Sequence, residues 1–124
     1  MTQQALGAAL RGAQARHQAL AGNIANASTP GYVRQDVEFH SALESALAAG
    51  RKPSEVAFTP EPDAAAGTVR ADGGTIDIDA ESAKLAANVL EYQAIVAVKE
   101  ARGAAVKAAL GIGCGRAPDR LRDS

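Results

Sequence analysis

Two stretches of the chain repeat apolar positions at helical spacing, and the stretch between them does not. In the first, Leu6, Leu10, Ala13, His17, Leu20 and Ile24 follow at intervals of four and three. That alternation marks a helix packed lengthwise on another helix. Gln and Arg occupy the other faces. Gly7, Gly12 and Gly22 each weaken such a helix by about 1 kcal/mol against alanine. The helix should end near Asn26, because Pro30 disfavours helical geometry at Thr29.

The second seam is longer. Leu85, Val89, Tyr92, Val96, Lys99, Gly103, Val106 and Leu110 again alternate by four and three, and Leu90, Ile95 and Val98 widen the apolar face. Asp77 or Asp79 suits the N-cap, and Asp79 and Glu81 suit the positive end of the helix dipole. Gly111 and Gly113 are natural stops. A helix from about 79 to 110 is roughly 48 Å long. A chain this small cannot cover all of it, so part of its face should await another chain.

Between the seams the pattern is mixed. Val33, Gln35, Val37 and Phe39 alternate as one side of a strand would. Leu43 and Leu47 suggest a helical turn or two. Residues 51–74 hold three prolines and three glycines and suit a loop or weak hairpin. The fold class expected is mainly α: N- and C-terminal helices pairing as a coiled-coil-like hairpin, with a loop or short β middle. Residues 1–32 and 76–113 form the helical domain, 33–75 an outer segment and 114–124 a charged tail.

Composition sharpens this. In 124 residues aromatics are 3%, and thirty alanines make up much of the apolar content. Alanine favours helix but buries little area. The monomer should be thin, with partners supplying part of its burial. The net charge of -1 argues against nucleic-acid binding. Residues 1–35 carry three bases and no acid, residues 36–81 ten acids and three bases, and residues 82–124 seven bases and four acids. Basic ends around an acidic middle point to separate roles.

Candidate chemistry is sparse. His17 and His40 stand apart with no nearby cysteine, so no metal site is expected. The lone Cys114 has no predictable base. Gly111 to Gly115 follows a helix rather than a strand and is no dinucleotide loop. Asp77 and Asp79 lie at the predicted helix start, where capping explains them, and the acids of the loop are isolated. No enzyme, cofactor or small-molecule substrate is indicated. The N-terminus lacks a cleavable leader pattern.

Residues 23–32, "NIANASTPGY", are richer than a helix stop requires. Asn tolerates left-handed geometry, and Pro30-Gly31 suits a type II turn. The run resembles the Asn-Ile-Ala-Asn-x-x-Thr-Pro-Gly-Tyr signature of bacterial flagellar axial proteins, the rod, hook and hook-associated subunits. "VRQDVEFHSAL" and "GTIDIDAESAKLAANVLEYQAIVAVKEARGAAVKAALG" are similar to the proximal-rod FlgB family. The FlgC family shares a Tyr-Gln-Ala element with a different lead-in.

The resemblance implies a structural subunit of the basal-body rod. It would leave the cell interior through the flagellar type III export gate without a cleaved signal. It would self-associate and contact other rod proteins, the rod adapter and the membrane-ring protein, forming a periplasmic drive shaft and export channel. A FlgC-type rod protein, or a helical-hairpin adapter outside the axial structure, is the alternative. On this reading Asn23, Ile24, Asn26, Thr29, Pro30, Gly31 and Tyr32 join the inner helix to the outer segment and present side chains to neighbours. Leu85, Val89, Tyr92, Gln93 and Val96 pack on the first helix or on other subunits, with Gln93 bridging to Asn88 or the junction. Phe39 and Leu43 are either a packing pair or an export signal of the Phe-x-x-x-hydrophobic kind.

Overall fold

The computed structural model describes residues 2–63 and 76–111. Helix α1 spans Gln3–Ala25 and α3 spans Ile78–Ala109. Between them lie strand β1 (Gln35–Asp36), helix α2 (Phe39–Ala48), a 3-10 turn (Pro53–Glu55) and strand β2 (Glu61–Pro62). The expected mainly α hairpin with a short β middle is the fold observed.

Both long helices start on side-chain caps. Thr2 Oγ1 accepts from the Ala5 amide at 3.0 Å. Asp77 Oδ1 accepts from the amides of Asp79 and Ala80 at 3.0 and 3.2 Å. Each cap satisfies donors that the first turn leaves open. Helix α3 stops at Gly111, whose φ of 69° suits glycine. Gly113, Cys114 and the tail lie outside the described residues.

Helices α1 and α3 run antiparallel. Gln3 Nε2 donates to Lys99 O at 3.2 Å, Asn88 Nδ2 to Ala13 O at 2.9 Å, and Asn23 Nδ2 to Glu81 Oε2 at 3.1 Å. The seam of α3 outruns its partner. Gln3, where α1 begins, lies against Gly103. Val106 and Leu110 beyond it are 51% and 66% exposed.

Helix α1 is the centre of the molecule: α3, α2, the 3-10 turn and β1 all pack on it. Ala8, Ala9 and Ala13 from α1 meet Val37, Phe39, Leu43, Ala46 and Val56 in one buried cluster. Small residues on α1 let the neighbouring backbone come close. Gly12 takes this furthest. A Cβ there would stand 2.4 Å from the Cβ of Phe39, so the glycine is a notch for the ring rather than a simple weak point.

The middle differs from the strand expected over Val33, Gln35, Val37 and Phe39. Only Gln35 and Asp36 are strand, paired antiparallel with Pro62 and Glu61. Phe39 instead opens α2, and Val33 is exposed. Placing Phe39, Leu43 and Ala46 on one helical face buries all three against α1, which outweighs the local alternation. The hairpin partner of β2 is likewise β1, not a strand within 51–74. Residues 64–74 of that predicted loop lie outside the described residues.

Candidate functional site

The junction is a stop built from several hydrogen bonds. Asn26 ends α1, with its amide N–H and its Nδ2 both donating to Gly22 O, at 3.0 and 2.9 Å. Thr29 donates its backbone N–H to Asn26 O at 3.0 Å and its hydroxyl to Asn26 Oδ1 at 3.3 Å. Pro30 and Gly31 then turn the chain: Tyr32 N donates to Thr29 O at 3.2 Å, and Gly31 has φ 76°. That geometry fits a type II turn. The left-handed asparagine that the sequence suggested is absent. Asn26 has φ -104°, and no non-glycine among the described residues has positive φ. The Thr29 contacts and Gly31 do the work instead.

The signature side chains do not all face outward. Asn23 is wholly buried. Its Oδ1 accepts from Gln35 N at 2.8 Å, and its Nδ2 donates to Gln35 O at 2.7 Å and to Glu81. It therefore stitches α1 to β1 and α3 rather than meeting a neighbour. Ile24 and Tyr32 are half-buried, and the Tyr32 hydroxyl lies over Gly22. Ser28, Thr29, Pro30 and Gly31 form the exposed tip.

Beside Asn23 sits a cluster that the sequence did not disclose. Arg34 is buried, with Nε donating to Glu81 Oε1 at 2.5 Å and Nη2 to Glu81 Oε2 at 3.3 Å. Nη1 donates to Asp63 Oδ2 at 2.5 Å, and Nη2 also reaches Asp36 Oδ2 at 3.3 Å. Arg16 closes the cluster on Asp36 at 2.9 Å. Two cations and three anions from four separate stretches meet here.

Burial alone would ease the Arg34 proton off, but the hydrogen bond and charge of Glu81, then Asp63 and Asp36, hold its pKa above the ordinary value. Burial also disfavours the Asp36 carboxylate. The Arg16 hydrogen bond, the Val37 amide and the two guanidinium groups overcome this and hold its pKa below the ordinary carboxylate value. Glu81 lies in the first turn of α3, as the helix dipole favours, and is also the buried partner of Arg34. Partners 29 and 47 residues apart leave no periodic signal in a sequence.

Helix α3 has two contrasting faces. Leu85, Val89, Tyr92 and Val96 are half-buried toward α1. Tyr92 accepts from Gln14 Nε2 at 3.4 Å. Asn88 is buried between the helices on Ala13 O, so the suggested Gln93 bridge is not made and Gln93 is exposed. On the opposite face Ala83, Leu90, Ala94, Ala97, Ala101 and Ala108 are all exposed, with Leu90 at 67%. At 100° per residue these lie within about 40° of one line. Lys84, Glu91, Glu100 and Arg102 flank that line rather than interrupt it.

Phe39 and Leu43 are both buried, so in the folded chain they pack on α1. His40 pairs with Glu91 across the α2–α3 gap. Among the described residues no three His, Cys, Asp or Glu side chains are placed to hold a metal ion. No described helix is long and apolar enough to cross a membrane.

These features define a class: a helical-hairpin structural protein, clamped at one end by buried charge and presenting an apolar outer face. The chain is similar to flagellar basal body rod protein FlgB of Escherichia coli (strain K12), with 35% identity over an alignment covering 63% of this chain and 70% of that one. The FlgB protein of Salmonella typhimurium is 34% identical with the same coverage, and that of Aeromonas hydrophila 37% identical over 63% and 68%. No protein-family model matches. The chain belongs to the FlgB family of flagellar basal body rod proteins.

Proposed function

We propose that this chain assembles helically with copies of itself and other rod proteins, and that the outer face of α3 is where neighbouring helices pack. One observation carries the proposal: a line of exposed alanines and Leu90 along a helix whose opposite side is already occupied. Small side chains let helices approach closely, and an uncharged face this long gains burial only against another chain. The 1–32 and 76–113 helices then form the inner wall, and 33–75 lies outside them. The role is mechanical, as part of the drive shaft and the channel through it.

In this reading the exposed tip at Ser28 to Gly31 touches adjacent subunits, while Asn23 and Tyr32 hold the tip in place. Leu85, Val89, Tyr92 and Val96 maintain the hairpin, and Gln93 is free for a neighbour. The rod adapter, the membrane-ring protein and the export gate are partners at the base and in transit. Phe39 and Leu43 can be read by the gate only in the unfolded chain, since folding buries them. The protein takes its place in the periplasmic rod.

Ala97→Glu tests the proposal. It puts a charge in the middle of the outer face while leaving the α1 contact intact. The purified variant should keep its helical circular dichroism yet be missing from basal bodies, and the cells should not swim. Normal incorporation and motility would refute the assigned face. A helical adapter outside the rod would stay in the soluble fraction with or without the substitution.

A further inference from the structure

The apolar seams do not by themselves choose how α1 and α3 align. Side chains recur every three or four residues on both helices, and the seam of α3 has eight positions against six on α1. Sliding α3 by one heptad would again set seam against seam. It would also draw Val106 and Leu110, now exposed, over the start of α1. The link through residues 64–75 permits this: twelve residues extend to about 40 Å, and seven residues of helix shift by about 10 Å.

What distinguishes the observed alignment is polar. Glu81 meets Arg34 and Asn23 only here, and Asn88 meets Ala13 O only here. A slid helix would take Glu81 away from the buried guanidinium and leave it only Asp63 and Asp36, which is unfavourable. We infer that the Arg34–Glu81–Asn23 cluster is a register lock, selecting this pairing of α1 and α3 over one displaced by a heptad. Buried ion pairs often add little stability beyond an apolar pair of the same size, and fixing register is their best-attested use. The lock acts within the single chain, whether or not neighbouring subunits pack on α3.

The test separates register from stability. In the full chain with Cys114→Ser, spin labels are placed at the exposed positions Gln18→Cys and Ala105→Cys. The labelled chain is diluted into unlabelled chain, and the distance distribution is measured by pulsed electron resonance. With the cluster intact, one distance is expected. With Arg34→Met and Glu81→Leu together, a second distance about 10 Å shorter should appear. Its population should rise about tenfold or more. A single unchanged distance in a variant of normal helicity overturns the lock. Should the double variant lose its helical signal, Glu81→Gln decides: a second distance supports the lock, and one unchanged distance overturns it.

Discussion

The two ends of the α1–α3 hairpin are held in different ways. At the junction end, Ile76, Glu81 and Asn23 are buried, and every charge in the cluster has a named partner. At the other end α3 runs past α1, and Val106 and Leu110 lie open. The only buried residues of α3 are Glu81 and Asn88, both polar. Its leucines and valines are half-buried or exposed. So the polar contacts make the structure specific, and the apolar surface is left incomplete. Such a division suits a subunit whose own fold is fixed at one end and whose remaining surface is finished by neighbours.

The largest effect should come from breaking the clamped end. Glu81→Ala leaves Arg34 buried without its main partner, which should cost about 3–5 kcal/mol. That approaches the whole stability of many small domains. Urea unfolding should show the midpoint collapse, and an unchanged midpoint would mean the cluster is solvated. Next is Gly12→Ala. Helix propensity alone would favour alanine by about 1 kcal/mol. The clash with Phe39 should instead make the change destabilising by about 1–3 kcal/mol in the same assay.

A smaller effect is expected from acid. The Asp36 carboxyl is held below its ordinary range in the folded chain, so its charge stabilises the fold above the unfolded pKa and that contribution is lost as pH falls through the lowered one. Thermal melts of Arg16→Gln should lose less than those of the natural sequence between pH 5 and about 2, because Arg16 is the strongest of the groups lowering Asp36. The smallest effect belongs to the open end. Leu110→Ala should stay within about 0.5 kcal/mol in the isolated chain, since little area is buried there. A large loss would mean that the overhang is covered in solution.

The helices were legible because their signals are local and periodic. The seams, the Asp77 cap, the stop at Asn26 and the turn at Pro30-Gly31 all follow from neighbouring residues. The middle was misread where tertiary burial competed with alternation: Phe39 fits a strand locally but fills the Gly12 notch as the first residue of α2. The charge cluster was illegible for a different reason. Arg34 and Glu81 look like ordinary surface charges, and nothing local distinguishes a buried pair from an exposed one. Asn23 shows the same limit: its place in the signature was clear, but its inward orientation depends on Gln35 and Glu81 arriving beside it.

The outer face of α3 carries the functional account, and its accessibility can be measured directly. A single cysteine at Ala97, in a Cys114→Ser background, would be treated with a maleimide in the isolated chain and in intact basal bodies. The account predicts rapid labelling of the isolated chain and strong protection in the assembled rod. Equal labelling in both would contradict it.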